Sequence, residues 1–180
     1  MKIYLAADHA GFELKEKVKK FLQEKGHEVQ DFGAFSYDEK DDYPDFIKLA
    51  AEAVSKCAQG SHNHSVIASE TKQSDNSVNV RSPRSDQEVG ARDDGCMAIV
   101  LGASGQGEAM VANRHKGVRA AVLDIYSEEV IKLSRQHNDA NVLSLGARFL
   151  KEQDALKAVD LWLSTEFSAE ERHVRRLAKF

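Results

Sequence analysis

Residues 96–115 read CMAIVLGASGQGEAMVANRH, and this stretch decides the fold. CMAIVL is a short, continuous apolar run of strand length, as expected where both faces of a strand are covered. GASGQG follows, a turn in which glycine lets the backbone approach a neighbour or a ligand closely. From about Gly107 the apolar residues recur at helical spacing through His115. Strand, glycine-rich turn and helix in that order form the first half of a βαβ unit, and the turn faces the ligand side of such units. The turn is not a Walker A loop, because no Gly-Lys-Ser/Thr follows it. Nor is it a dinucleotide fingerprint: Gly105 and Gly107 fit GxGxxG, but Met110 holds the place of the third glycine. Glu108 sits in the first helical turn. A carboxylate there complements the helix dipole, and it also lies beside amides able to stabilise an oxyanion.

The same alternation extends in both directions. Residues 2–7 read as a buried strand ending at Asp8, 11–25 as an amphipathic helix stopped by Gly26, and 27–32 as a second strand. Pro44 opens a helix carrying Phe46, Ile47, Ala50, Ala51 and Val54. Downstream of the glycine-rich loop come a strand at 118–123, a helix at 127–136, a strand at 141–145, a helix at 152–163, and a basic helix from Ala169 onward. Five apolar strands separated by helices predict an α/β fold, a Rossmann-like three-layer α/β/α sandwich around a five-stranded parallel sheet. The expected strand order is 2-1-3-4-5. Its switch point lies between the first and third strands, so ligand-facing loops should start at Asp8-His9 and at Gly102.

The 180 residues suffice for a single domain spanning 1–180. Lys plus Arg total 25 against 29 Asp plus Glu, a formal charge of −4, which argues against a nucleic-acid partner. No apolar run is long enough to span a bilayer, and no secretory signal is apparent, so a cytoplasmic protein is expected. Cys57 and Cys96 form no CxxC pair and read as reduced thiols. The apolar fraction, 42%, is slightly low. Residues 61–94 account for this, being rich in Ser, Asn, Asp and Arg and lacking aromatics. They read as a solvated, mostly disordered insertion in which 77–81 could pair briefly as a strand. His62 and His64 lack further ligands at metal spacing and read as solvated. The insertion enters the third strand at its N-terminal end, opposite the expected active face.

Three further places bear chemistry. Asp8 either caps the following helix or faces a ligand, with His9 beside it. His137, in RQHNDAN, stands at a helix C-terminus, where the dipole favours it without any ligand. Arg172 and Arg176 are spaced i, i+4 on one face of the basic tail, a geometry that suits either a phosphate or plain solvation.

Taken together, AADHAGFELKEKVKKFL, DYPD at 42–45, the glycine-rich loop, SRQHNDANVLSLGAR and STEF…RHVRR closely resemble the ribose-5-phosphate isomerase type B family, which includes galactose-6-phosphate isomerase subunits. The resemblance covers everything except the insertion. It implies a homodimer or tetramer with active sites shared between subunits, a small-molecule sugar phosphate as ligand, and neither cofactor nor metal. It implies that Asp8 and His9 contact the sugar, and that Ala103, Ser104, Gly105, Gln106 and Gly107 hold the oxygens of the reacting carbons. His137 matches the group that assists ring opening, Asn138 a substrate ligand, and Arg148, Arg172 and Arg176 the phosphate ligands. Many members of the family begin the loop with a cysteine base, where this chain has Gly102, and Cys96 lies too far back to replace it. The chain instead matches a branch with a GSGNGE-like motif, which makes Glu108 the expected base. The implied activity is interconversion of ribose 5-phosphate and ribulose 5-phosphate. The alternatives are a six-carbon substrate (allose 6-phosphate or galactose 6-phosphate) or a binding module without turnover.

Overall fold

The structure is a computed structural model that describes residues 1–60 and 96–180. Its elements run β1 (Lys2–Ala7), α1 (Phe12–Glu24), β2 (Glu28–Asp31), α2 (Tyr43–Gly60), β3 (Cys96–Gly102), α3 (Gln106–Ala112), β4 (Ala120–Leu123), α4 (Glu128–Gln136), β5 (Val142–Gly146), α5 (Glu152–Ser164) and α6 (Glu171–Leu177). The insertion expected at 61–94, with its brief strand at 77–81 and its histidines His62 and His64, lies outside the described residues.

All strand pairings in the sheet are parallel, with β1 aligned on β3 from Lys2↔Cys96 to Ala7↔Leu101. Alternate side chains go to opposite faces. Ile3, Leu5, Ala7, Met97, Ile99 and Leu101 pack with residues of α1, α4 and α5, including the fully buried Trp162. Tyr4, Ala6, Ala98 and Val100 pack with α2 and α3 through Ile47, Ala50, Ala51, Val54 and Ala112. Each large aliphatic side chain buried in this way contributes about 1.5–3 kcal/mol. These are the three layers expected from the sequence.

The strand order corrects one expectation: it is β2-β1-β3-β5-β4, not 2-1-3-4-5. All five residues of β5 are buried, whereas three of the four in β4 are only half-buried, so β5 takes the interior place and β4 the edge. Side-chain chemistry reinforces the choice, since the hydroxyl of the buried Ser144 in β5 donates to the carbonyl of Gly105 in the loop after β3 (2.6 Å). The switch point between β1 and β3 survives the change.

A second correction concerns the cysteines. Cys57 and Cys96, read as reduced thiols, form a disulfide with Cα atoms 6.2 Å apart. The last turns of α2 return to the edge where β3 begins, a proximity hidden by a sequence separation of 39.

Candidate active site

The C-terminal ends of β1, β3 and β5 carry one group of the expected site residues. Asp8, only 6% exposed, accepts from the amides of Ala10 (3.0 Å) and Gly11 (3.1 Å) through Oδ1, so it fastens the turn into α1 as a cap would. His9 follows it, with its side chain 24% exposed. The imidazole Nδ1 lies 2.7 Å from Oδ1 of Asp41, and the same oxygen accepts from the backbone N–H of His9 (3.0 Å). Asp41 reaches this place because α1 and the segment after β2 are tied together. Lys15, fully buried, donates to both carboxylate oxygens of Asp31 (2.8 Å each) and to the carbonyl of Ala34 (2.7 Å). Lys15, in the motif AADHAGFELK, thus serves the scaffold that presents Asp8 and His9.

The loop at 103–107 closes over β3. Gly105 has φ +76°, a left-handed conformation that a side chain would strain, and it caps α3. The amide of Arg148 donates to the carbonyl of Ala103 (3.1 Å), so the loop after β5 is clamped to the loop after β3 and the exposed Arg148 is held at the same edge. Ser104 Oγ accepts from the amide of Gln106 (3.3 Å).

Glu108 occupies the centre of this group. It is 4% exposed, and its carboxyl lies so close to Gly102 that a Cβ placed on Gly102 would fall inside it. The carboxyl therefore fills the side-chain space at the position where the resemblance implies a cysteine in other members of the family. Burial pushes the Glu108 carboxyl above the ordinary carboxylate range and the Asp8 charge adds to this, against a lowering by its own backbone amide. Such a group is poised to hold and release a proton nearer neutrality than an exposed glutamate is.

The hydrogen bond that its ring donates to Asp41 raises the His9 imidazole above its ordinary value. Partial burial opposes it, the charges of Asp8 and Asp41 support it, and Arg148 opposes it. Among the described residues, Asp8, His9 and Asp41 are also the one group offering metal-ligand atoms within 4.8 Å of one another. Those atoms already bind each other or backbone amides, which makes the group a hydrogen-bonded pair beside a capping carboxylate.

His137, Asn138, Arg172 and Arg176 are not part of this group. Because α4 runs back from the far end of β4, His137 caps it at the opposite, N-terminal edge of the sheet, just before β5. The buried Arg135 and Asp139 frame it: Arg135 reaches Asp139 (3.1 Å) and the carbonyl of Ala140 (2.7 Å), and Arg119 pairs with Asp139 (2.6 Å). Ser168 bonds the carbonyl of Gln136 through both N–H (3.1 Å) and Oγ (2.8 Å), bringing α6 alongside. The ring of His173, 2% exposed, then stacks on His137 with centroids 4.1 Å apart, and Arg172 Nε lies 3.1 Å from His173 Nε2. Burial, His137 and Arg172 together lower the His173 pKa. The edge expected to lie away from the chemistry thus carries four of the expected site residues. Sequence reasoning singled out neither Asp41 nor His173, although Asp41 adjoins the DYPD motif and His173 lies inside RHVRR.

The chain is similar to known proteins along almost its whole length. The family model described as Ribose/Galactose Isomerase matches residues 3–73 and 61–180. The chain is 34% identical over 177 residues to ribose-5-phosphate isomerase B of Mycobacterium leprae, covering 98% of this chain and 86% of that protein. Against the Escherichia coli protein of the same name it is 32% identical, covering 98% and 91%. Among solved structures, ribose-5-phosphate isomerase B from Mycoplasma genitalium with bound ribulose-5-phosphate superposes with TM-score 0.75 at 32% identity, covering 99% of this chain and 92% of that one. The Clostridium thermocellum enzyme gives 0.74 at 34%, covering 99% and 94%. With its five-stranded parallel sheet, and with sequence likeness running almost end to end, the chain belongs to the ribose/galactose isomerase family.

Proposed function

We propose that the chain interconverts ribose 5-phosphate and ribulose 5-phosphate by proton transfer between C1 and C2 through an enediolate. One observation carries the reading: the buried carboxyl of Glu108 fills the side-chain space of Gly102, beside the loop at 103–107. Glu108 removes the C2 proton of the open-chain aldose as the carbonyl electrons move onto O1. It returns a proton to C1 as the O2 hydroxyl proton passes to O1 and the carbonyl re-forms at C2. The amides of residues 103–107, with Ser104 assisting, stabilise the oxygen on which charge develops. Asp8 and His9 contact the sugar, and Arg148 faces its phosphate. This route uses no metal and no cofactor.

The split of residues between the two sheet edges supports a homodimer with shared sites. The edges are separated by the length of β5, roughly 15 Å at about 3.3 Å per residue. A phosphorylated five-carbon chain with C–C bonds of about 1.5 Å does not bridge that gap. His137 and Asn138 of the partner subunit, with Arg172 and Arg176 of the partner subunit, would complete each site, His137 assisting ring opening and the arginines binding phosphate. Among the described residues no helix is long and apolar enough to cross a membrane.

The test is turnover of ribose 5-phosphate by the purified protein in deuterated water. Ribulose 5-phosphate carrying solvent deuterium at C1 is the expected product. Binding without exchange would mark a non-catalytic module, and preference for allose 6-phosphate or galactose 6-phosphate in the same assay would reassign the substrate.

A further inference from the structure

His9 is held by more than its place in the chain. One carboxylate oxygen of Asp41 takes both the side-chain Nδ1 (2.7 Å) and the backbone N–H (3.0 Å) of the same residue, so both the peptide and the ring are fixed. The Asp41 side chain is 10% exposed, and its Oδ2 is buried with no hydrogen-bond partner among the described residues. A buried carboxylate oxygen without a partner carries a desolvation cost. Its retention is explained if the negative charge is wanted beside the imidazole. The edge of the His9 ring meets Tyr37 at 6.2 Å between centroids, which confines the imidazole from a second side.

We propose that Asp41 is a positioning residue for the isomerase reaction: it fixes the His9 imidazole with a proton on Nδ1 and turns Nε2 toward the bound sugar phosphate. With Nδ1 engaged as a donor, Nε2 is the one ring atom left to meet a ligand. Asp41 also favours the imidazolium, so that His9 offers an N–H bond to a substrate oxygen at the edge where Arg148 stands. The charged and titratable groups around this ring come from three connecting segments. They are Asp8 after β1, Tyr37 and Asp41 between β2 and α2, and Arg148 after β5; Glu108 on α3 is electrostatically linked to Asp8. Asp8 works in the same direction as Asp41, whereas Arg148 opposes it. The inference rests on the isomerase reading for the identity of the ligand but not for the pairing itself.

The decisive variant is Asp41→Asn, which keeps the shape and an acceptor oxygen but removes the charge. The exposed neighbour Asp42→Asn is the control. The titration of His9 is followed by NMR on histidine-labelled protein without substrate, and steady-state kinetics on ribose 5-phosphate are measured across pH. Asp41→Asn is expected to lower the His9 midpoint and to raise KM about tenfold, the lower end of what an outer partner of a site histidine contributes at metal centres, with kcat held within about threefold. The alkaline rise in KM should also begin at a lower pH than in the wild type, because a neutral His9 is reached sooner. Asp41→Ala should show the same changes and lose the preference for the Nδ1-protonated tautomer; if it does not fold, the Asn variant decides alone. A His9 midpoint and KM that match wild type and Asp42→Asn in folded Asp41→Asn would overturn the proposal. So would a loss of kcat with the His9 titration unmoved. A wild-type chain without turnover condemns the isomerase reading instead, while the substrate-free titration still judges the pairing.

Discussion

At the scale of single residues, the site turns on an exchange of volume between two positions six residues apart. Gly102 contributes no side chain, and the carboxyl of Glu108 enters the space it leaves. Glu108 was legible in the sequence because it follows a glycine-rich loop at fixed spacing. Asp41 was not legible, because one aspartate in an acidic stretch carries no mark of the histidine it meets 32 residues away. Replacing Glu108 by Gln tests the base and the cost of burying it in the same protein. Loss of a positioned general base lowers kcat by about 10²–10⁴-fold, and the coupled isomerase assay should show a drop of that size. Stability should move the other way. A carboxyl whose folded pKa is raised is penalised where the folded chain must ionise it, that is, at pH above the unfolded value of about 4.3. The native carboxyl therefore withdraws stability as pH rises from there through its folded value. Glu108→Gln should melt higher than wild type at neutral pH, and the difference should vanish below about pH 4, where both side chains are neutral. Equal melting temperatures at pH 7 and pH 4 would contradict the burial of an ionising group.

At the scale of elements, the sequence located the strands and helices to within a few residues, because apolar periodicity and glycine stops are local signals. The order of β4 and β5 was not local. It depends on Ser144 meeting Gly105 and on which strand is buried on both faces, and neither is visible in apolar runs of similar length. The pairing of Cys57 with Cys96 likewise follows from where α2 ends against the sheet. That disulfide ties the helix to the first residue of a central strand. In the denatured chain it closes a long loop, so its removal costs about 2–4 kcal/mol. Cys57→Ser should lower the denaturation midpoint accordingly. The wild-type protein should take up no alkylating reagent until a reductant is added. Prompt alkylation of both thiols in freshly isolated protein, without added reductant, would show that the bond does not persist.

At the scale of the whole molecule, the parallel sheet places nine of the thirteen expected site residues at one edge and four at the other. Every helix crossing back over the sheet carries its C-terminus to the edge opposite the catalytic loops, and His137 goes with α4 for that reason. The sequence could show that these residues belong to one motif set. Their separation within a chain is a property of the topology. In the homodimer proposed above, the N-terminal edge of one copy would meet the C-terminal edge of the other, and a closed symmetric pair would make two equivalent sites. The arrangement has a quantitative consequence. Glu108→Gln disables the half-site at one edge and Arg172→Ala the half-site at the other, so each homodimer is inactive. If the two variants are unfolded together and refolded, random pairing makes about half of the dimers hybrids. In each hybrid one site collects both lesions and the other collects none. Activity should return to about one quarter of the wild-type value, with KM unchanged because the surviving sites are intact. Sites contained within single chains would recover nothing on mixing, since every chain would keep its own lesion. Recovery that appears only after the subunits have exchanged, followed over time by mixing the folded variants, would tie the activity to the dimer interface.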